Sequence, residues 1–404
     1  MERTAKPKKL WKKILIAIGA VILALILILA IAIFALWHNE ISTMTSIKLL
    51  RERNDEHLDG AVYYMDVKGD FYLDKFVAQG GASSDKELIN FITGNITKGL
   101  IDMSISESDI ACSSFTAASE EGDRLFARNY DFSKTNTCIV RTQANKGRHA
   151  SISTIDLQFL GLDVNKDVDG LANRITCLAA PYIPLDGIND AGVACGIYMT
   201  YQGGSVPTDQ NTEKPDLTST TLLRLILDYA DNVEDAVEIA SSYDLHDSAK
   251  TSYHYMVADA SGKSAILEWV GTSDQTDTDG SKRELVVTYN DDDAHIGKAE
   301  GDSEYQWVTN FIVQPDYYES DDEKKGYDRY QRIYEELSLT DGIVADEDAA
   351  MDILAIVGRR SWNNDDSNGC TVHSVIYNLT DKSVLWIPNE HYDEADGTFE
   401  FDLE

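Results

Sequence analysis

Ile14 to Trp37 reads "ILIAIGAVILALILILAIAIFALW", 24 residues without a charge. A run of that length crosses a hydrocarbon core of roughly 30 Å as a helix. Lys6, Lys8, Lys9, Lys12 and Lys13 precede it, which favours keeping that end in the cytoplasm. A cleaved signal peptide is the rival reading. Its apolar core would be shorter, about 7–15 residues, and "ALWHNE" is a poor cut site. The expectation is a cytoplasmic basic tail (1–13), one membrane span (14–37) and the rest of the chain outside the cytoplasm.

Beyond the span the chain is acidic. The whole sequence of 404 residues carries a net charge of -34, which disfavours binding to a nucleic-acid backbone. With 43% hydrophobic residues it can bury a large core. Five cysteines (Cys112, Cys138, Cys177, Cys195 and Cys370) leave at least one thiol unpaired, and none has the close spacing of a metal site. Cys177 and Cys195 lie in apolar stretches and read as small buried hydrophobes.

Residues 38–60 are polar, and 60–67 alternate as a strand does. Residues 83–102 have a capped helical pattern. Two alternating runs around "SEEGD" read as a hairpin, and 174–201 as further short strands. Residues 218–243 carry Leu222, Leu223, Leu225, Ile226, Tyr229, Val233, Ala236, Val237 and Ile239 at helical spacing, as two helices broken near Asp231. Strands are expected at 253–270, 284–290 and 305–311, a helix at 326–337 and a last hairpin at 371–388. Strand groups flanking a helical block define an α+β class.

Cys112 sits at the start of the first hairpin. A nucleophilic cysteine needs a base and an oxyanion stabiliser. A Cys–His–Asn arrangement could draw on His254 or His373, both in expected strands. The alternative is a cut just before Cys112, so that its own α-amine is the base. An α-amine has a pKa of about 8 against about 10.4 for lysine, so much of it is neutral near pH 7.

The residues here resemble the choloylglycine hydrolase and penicillin V acylase family of N-terminal-nucleophile hydrolases, which includes the acid ceramidase branch. Arg128 and Asp131 lie 16 and 19 residues after Cys112, as in the family's Gly-Arg-Asn-x-Asp, with Ala127 in place of the glycine. "DGINDAGVACGIYM", "YHYMVADASGKSAILEW", "WVTNF" and "GYDRYQR" are similar to later family motifs, in the family order, over about residues 110 to 390.

The resemblance implies a four-layer αββα sandwich spanning 112–404, with 38–111 a juxtamembrane spacer and pro-segment. It implies hydrolysis of a linear, non-peptide amide with no metal or organic cofactor. Cys112 would be nucleophile and, through its α-amine, base. Arg128 would sit beside the thiol, and Asp131 would orient the amine. Asn310 would offer its NH2 to the oxyanion, with Asn290 a competitor. Tyr198 falls at a variable family position, with Met199 one step away, and Arg329 would close the charge network. Singly these residues have plainer readings. An Arg128–Asp131 surface ion pair would be worth less than about 1 kcal/mol. The partners implied are a small N-acyl amide and, through 14–37, a membrane. An acyltransferase or a catalytically silent binding module on the same fold are the alternatives. Substrate identity and oligomeric state are not legible.

Overall fold

The computed structural model describes residues 7–57, 59–97, 99, 111–292, 295, 296, 298, 305–362, 369–394 and 397–403. The apolar run lies in a helix, Pro7–Ser46, long and apolar enough to cross a membrane. Every side chain from Trp11 to Leu36 is exposed. The helix runs past residue 37. Backbone geometry breaks at Trp37 (φ −126°, ψ 20°), and the next turns dock on the rest of the chain. Glu40, Thr43 and Met44 are buried there. Tyr72 donates to Glu40 at 2.7 Å, Lys68 N–H to Thr43 Oγ1 at 2.9 Å, and Arg174 to the Met44 carbonyl at 2.7 Å.

The strands, in chain order, begin with β1 (Lys48–Arg51), β2 (Val62–Asp66), β3 (Ala111–Ser119), β4 (Arg124–Ser133), β5 (Thr137–Thr142) and β6 (Ser151–Asp156). Next come β7 (Asp186–Asn189), β8 (Ala194–Met199), β9 (Asp216–Thr218), β10 (Asp244–His246), β11 (Tyr253–Ala258) and β12 (Ser264–Val270). The last are β13 (Glu284–Tyr289), β14 (Trp307–Val308), β15 (Ile343–Val344), β16 (Gly369–Asn378), β17 (Ser383–Pro388) and β18 (Phe399–Asp402). A nine-stranded sheet has the order β1-β2-β5-β6-β7-β8-β11-β12-β13. A seven-stranded sheet has the order β14-β3-β4-β16-β17-β18, with β15 beside β3. The β3–β4 hairpin turns at Gly122, whose φ of 99° suits glycine.

Helices Ser219–Tyr229 and Val233–Ser242 cover the nine-stranded sheet, while Tyr327–Ser338 and Glu347–Ile356 cover the other. The two sheets face each other through β3 and β8. The order of layers is α, β, β, α, as the sequence implied. Local signals place these helices. Thr218 and Thr221 form a capping box, and the Asn232 side chain accepts from Asp235 N–H just past the expected break.

Three segments differ from expectation. Residues 171–182 hold a helix (Leu171–Cys177) and a 3-10 turn (Ala180–Tyr182) rather than strands. Gly170 opens the helix, and Pro181 in the turn lacks the N–H a ladder needs. The helix expected over 83–102 spans Asp85–Asn95; residues 98 and 100–102 lie outside the described residues. Within the expected spacer and pro-segment, β1 and β2 are part of the nine-stranded sheet, β2 pairing parallel to β5.

Candidate active site

The β3–β4 register sets Cys112 opposite Tyr130, Ser114 opposite Arg128 and Ala111 opposite Asp131. Side chains two apart share a face, so Cys112 and Ser114 lie with Arg128 and Tyr130 between the sheets. Arg128 Nη2 reaches Cys112 Sγ at 3.5 Å and donates to the Ile197 carbonyl at 2.8 Å. Its Nε is 3.1 Å from Asp186 Oδ2. Its guanidinium lies 4.6 Å over the Tyr198 ring. Arg128 and Asp131 are both buried, and their ion pairs run to Asp186 and Arg329 rather than to each other.

Around the backbone of Cys112 sits a second group. Its N–H donates to Asn310 Oδ1 at 3.0 Å. Arg329 donates from Nη1 to the Cys112 carbonyl at 2.8 Å and lies 3.3 Å from Asp131 Oδ2. Its Nη2 donates to Asn310 Oδ1 at 2.8 Å. Thr371 donates to Asp131 Oδ1 at 2.6 Å. One NH2 hydrogen of Asn310 goes to the Met199 carbonyl, at 3.0 Å. The six residues singled out from the sequence therefore converge.

Asn290, just past β13, braces the β11–β12 turn: its Oδ1 accepts from Ser264 N–H and its NH2 donates to the Gly262 carbonyl, so its side chain is bonded there and not at Cys112. Tyr198 is buried under Arg128 and donates to Ser114 Oγ at 2.6 Å, while Met199 lines the adjoining cleft. The Cys–His–Asn arrangement is not formed. His254 bonds Glu268 and the Thr309 carbonyl, and His373 bonds Asp186.

Burial pushes the Cys112 thiol up to about 11, with Arg128 pulling the other way. Burial also raises Asp131, against the pull of Arg329 and Thr371. Asp186 is lowered: burial opposes its charge, but His373 and Arg128 outweigh burial.

Two residues at the site were not picked out from the sequence. Asp186 is fully buried and holds Arg128, and Tyr377 donates to its other oxygen at 2.5 Å. An acid opening the apolar strand of "DGIN" was the available signal. Gly196 is the other. A Cβ there would stand 2.2 Å from Arg128 Nη1 and 2.6 Å from the Tyr198 hydroxyl. No sequence pattern announces such a contact.

A cleft opens beside Arg128. Phe159, Ile183, Leu185, Ile197, Met199 and Tyr253 give it an apolar wall. All five cysteines are buried and unpaired.

Two facing sheets between helix layers, with the cysteine leading an inner strand, are the architecture of an N-terminal-nucleophile hydrolase. The sequence model described as acyl-coenzyme A:6-aminopenicillanic acid acyl-transferase matches residues 118–388, about two thirds of the chain. The chain belongs to this family. Arg128, Asp131, Tyr198, Asn310 and Arg329 fall inside the match; Cys112 precedes its first residue. No curated protein sequence matches the chain. Among solved structures, penicillin V acylase from Agrobacterium tumefaciens is similar at 16% identity and a TM-score of 0.44, over 72% of this chain and 86% of its own. A mutant of conjugated bile acid hydrolase from Clostridium perfringens is similar at 14% and 0.43, over 72% and 92%. The Caenorhabditis elegans N-acylethanolamine-hydrolyzing acid amidase ortholog is similar at 13% and 0.39, over 67% and 93%. The family assignment rests on the sequence match, not on the structural likenesses.

Proposed function

We propose that the chain is a membrane-anchored amidohydrolase that cuts itself before Cys112 and then hydrolyses N-acyl amides through a thioester on that cysteine. The observation that supports it most is the convergence on Cys112: a guanidinium 3.5 Å from its sulfur and Asn310 on its nitrogen. In self-cleavage, Cys112 Sγ bonds to the Ala111 carbonyl carbon and the C–N bond breaks. The Cys112 nitrogen takes a proton and becomes an α-amine. Water then releases Ala111 as a carboxylate and restores the thiol. The peptide N–H has one hydrogen, which Asn310 accepts. The new amine has further hydrogens, and Asp131, opposite Ala111 in the ladder, is the carboxylate in position to orient it.

In turnover, the thiolate attacks the substrate carbonyl, and the α-amine carries the thiol proton to the leaving amine. The second NH2 hydrogen of Asn310 serves the oxyanion. Loss of one such donor typically costs about 2.7–4 kcal/mol. The apolar wall of the cleft favours an apolar acyl group. The acidity of the chain disfavours anionic leaving groups, by roughly tenfold at low salt. Neutral or fatty N-acyl amides should thus outpace taurine conjugates. The six basic residues Arg3, Lys6, Lys8, Lys9, Lys12 and Lys13 before the span support an extracytoplasmic catalytic domain.

An intact-mass measurement tests the core of this. Wild-type protein should yield a chain beginning at Cys112, and Cys112→Ala should stay full length. An active enzyme with Ala111 still bonded to Cys112 refutes the mechanism. A second reading has the matched family's description behind it: the thioester passes its acyl group to an amine. Product partitioning with added amine separates the two. A silent binding module would show no selective alkylation of Cys112 by iodoacetamide.

A further inference from the structure

Away from the cleft, the turn before β2 carries His57 and Asp59, and the loop after β17 carries His391. Asp59 and His391 are buried, while 42% of the His57 side chain is exposed. His57 Nδ1 lies 2.6 Å from Asp59 Oδ1, and His391 Nε2 lies 2.6 Å from Asp59 Oδ2. The three ligand-type atoms fall within 4.8 Å of one another.

Two details point beyond a plain hydrogen-bonded cluster. Arg360 Nη1 lies 3.1 Å from the same His57 Nδ1. An arginine only donates, so Nδ1 must offer it a lone pair; the Asp59 contact needs a proton on that same atom. One atom cannot do both. A cation between Nδ1 and the carboxylate satisfies the lone pair and Asp59 together. Arg360 then keeps its bonds to the His57 and Asn389 carbonyls, each 2.7 Å, its proximity to Glu390 at 3.6 Å and its longer approach to Asp59 Oδ1 at 3.8 Å, where it would share the carboxylate with the ion. The second detail is Glu394, whose Oε1 lies 2.9 Å from Nδ1 of His391, the nitrogen facing away from Asp59. A carboxylate on the far nitrogen fixes the tautomer that turns the Nε2 lone pair inward, as behind most metal-binding histidines. Arg51 anchors Glu394 in turn, at 2.9 Å.

We propose that His57, Asp59 and His391 form a binding site for a divalent transition-metal ion of the zinc class, with Glu394 orienting His391. Two imidazoles and a carboxylate suit zinc, cobalt and nickel. Ligand atoms around tetrahedral zinc sit roughly 3.3 Å apart at its usual bond lengths, so each 2.6 Å contact opens by less than about 1 Å on binding. The exposed edge of His57 is the entry path, and water completes the coordination. Asp59 and His391 are 332 residues apart, which is why no spacing in the sequence betrays the site. The ion would staple the segment before Cys112 to the segment after β17, so its role is structural.

The test uses the full chain in detergent, stripped with chelator and dialysed against Zn²⁺, with bound metal measured directly. We expect about one ion per chain. His57→Ala, a substitution at the surface, should weaken binding about 100-fold or more, and Glu394→Gln roughly 10- to 100-fold. Co²⁺ should give visible ligand-field bands in the wild type that vanish in His57→Ala. Sub-stoichiometric Zn²⁺, or equal binding by wild type and both variants, overturns the proposal, because either result means an adventitious ion only.

Discussion

Arg128→Gln isolates the cation that faces the Cys112 sulfur. The guanidinium nitrogen lies 3.5 Å from Cys112 Sγ, with both groups buried. At an effective dielectric constant of about 20, unit charges that far apart interact by roughly 4.7 kcal/mol, equivalent to about 3.5 pH units. Measured effects of one neighbouring opposite charge are about 1–3 units. Glutamine keeps a donor for the Ile197 carbonyl but no charge. The thiolate fraction of Cys112 at pH 8 should therefore fall roughly 10- to 1000-fold. The assay is the pH profile of iodoacetamide labelling at Cys112, read by peptide mass spectrometry, with Cys138, Cys177, Cys195 and Cys370 as buried internal controls. Asp186 loses one partner but keeps His373 at 2.9 Å, and the stability cost is about 3–5 kcal/mol. Arg128→Lys restores the charge and should recover part of the labelling rate. A folded Arg128→Gln protein with the wild-type profile would refute the role assigned to Arg128.

Gly196→Ala drives a methyl group against Arg128 and Tyr198, and should cost about 1–3 kcal/mol of stability together with most of the activity; a neutral effect in urea unfolding and turnover would contradict the packing. Asp156 is fully buried, and burial raises it from an ordinary 3.8 to about 6. Its contribution is therefore intact below about pH 3.8 and declines as pH rises to about 6, by up to roughly 3 kcal/mol. Asp156→Asn should flatten the urea stability profile between pH 4 and 7, and an unchanged profile would show that Asp156 does not carry it. Protease added to intact cells should digest the catalytic domain, and its protection would reverse the proposed topology. In a kcat/KM panel, neutral or fatty N-acyl amides should exceed taurine conjugates, and taurocholate as best substrate by about tenfold would overturn that preference while leaving the Cys112 mechanism untouched.

The sequence was most informative where chemistry and spacing coincide. Cys112, Arg128 and Asp131 lie on one hairpin, so their offsets translate directly into a shared strand pair. Asn310 and Arg329 came from short motifs in the expected order, and long-range packing carries both to Cys112. Expectation failed where tertiary context decides. "RITCLAAPYI" is apolar enough for a strand, yet Gly170 and Pro181 turn it into a helix and a turn. The polar stretch from 38 to 60 has no pattern strong enough to announce β1, which gains its order by pairing with β2. Gly196 acts through a contact with Arg128, a residue far away in the chain, and a linear reading contains no trace of it; for Asp186 the one signal was an acid opening an apolar strand.

The parallel pairing of β2 with β5 also bears on the order of events in the life of the chain. Residues 62–66 leave the ribosome long before 137–142, so the strand that precedes the proposed cut waits for a partner made after it. A cut during synthesis would free β2 before that partner exists. A protein begun at Cys112 would present the bare edge of β5, a row of unpaired backbone groups open to any other strand. If the chain cuts itself as proposed, covalent continuity across residues 111 and 112 is needed only until the sheet has closed, and the cysteine would double as a timer that acts once folding has assembled Arg128, Asn310 and Arg329 around it.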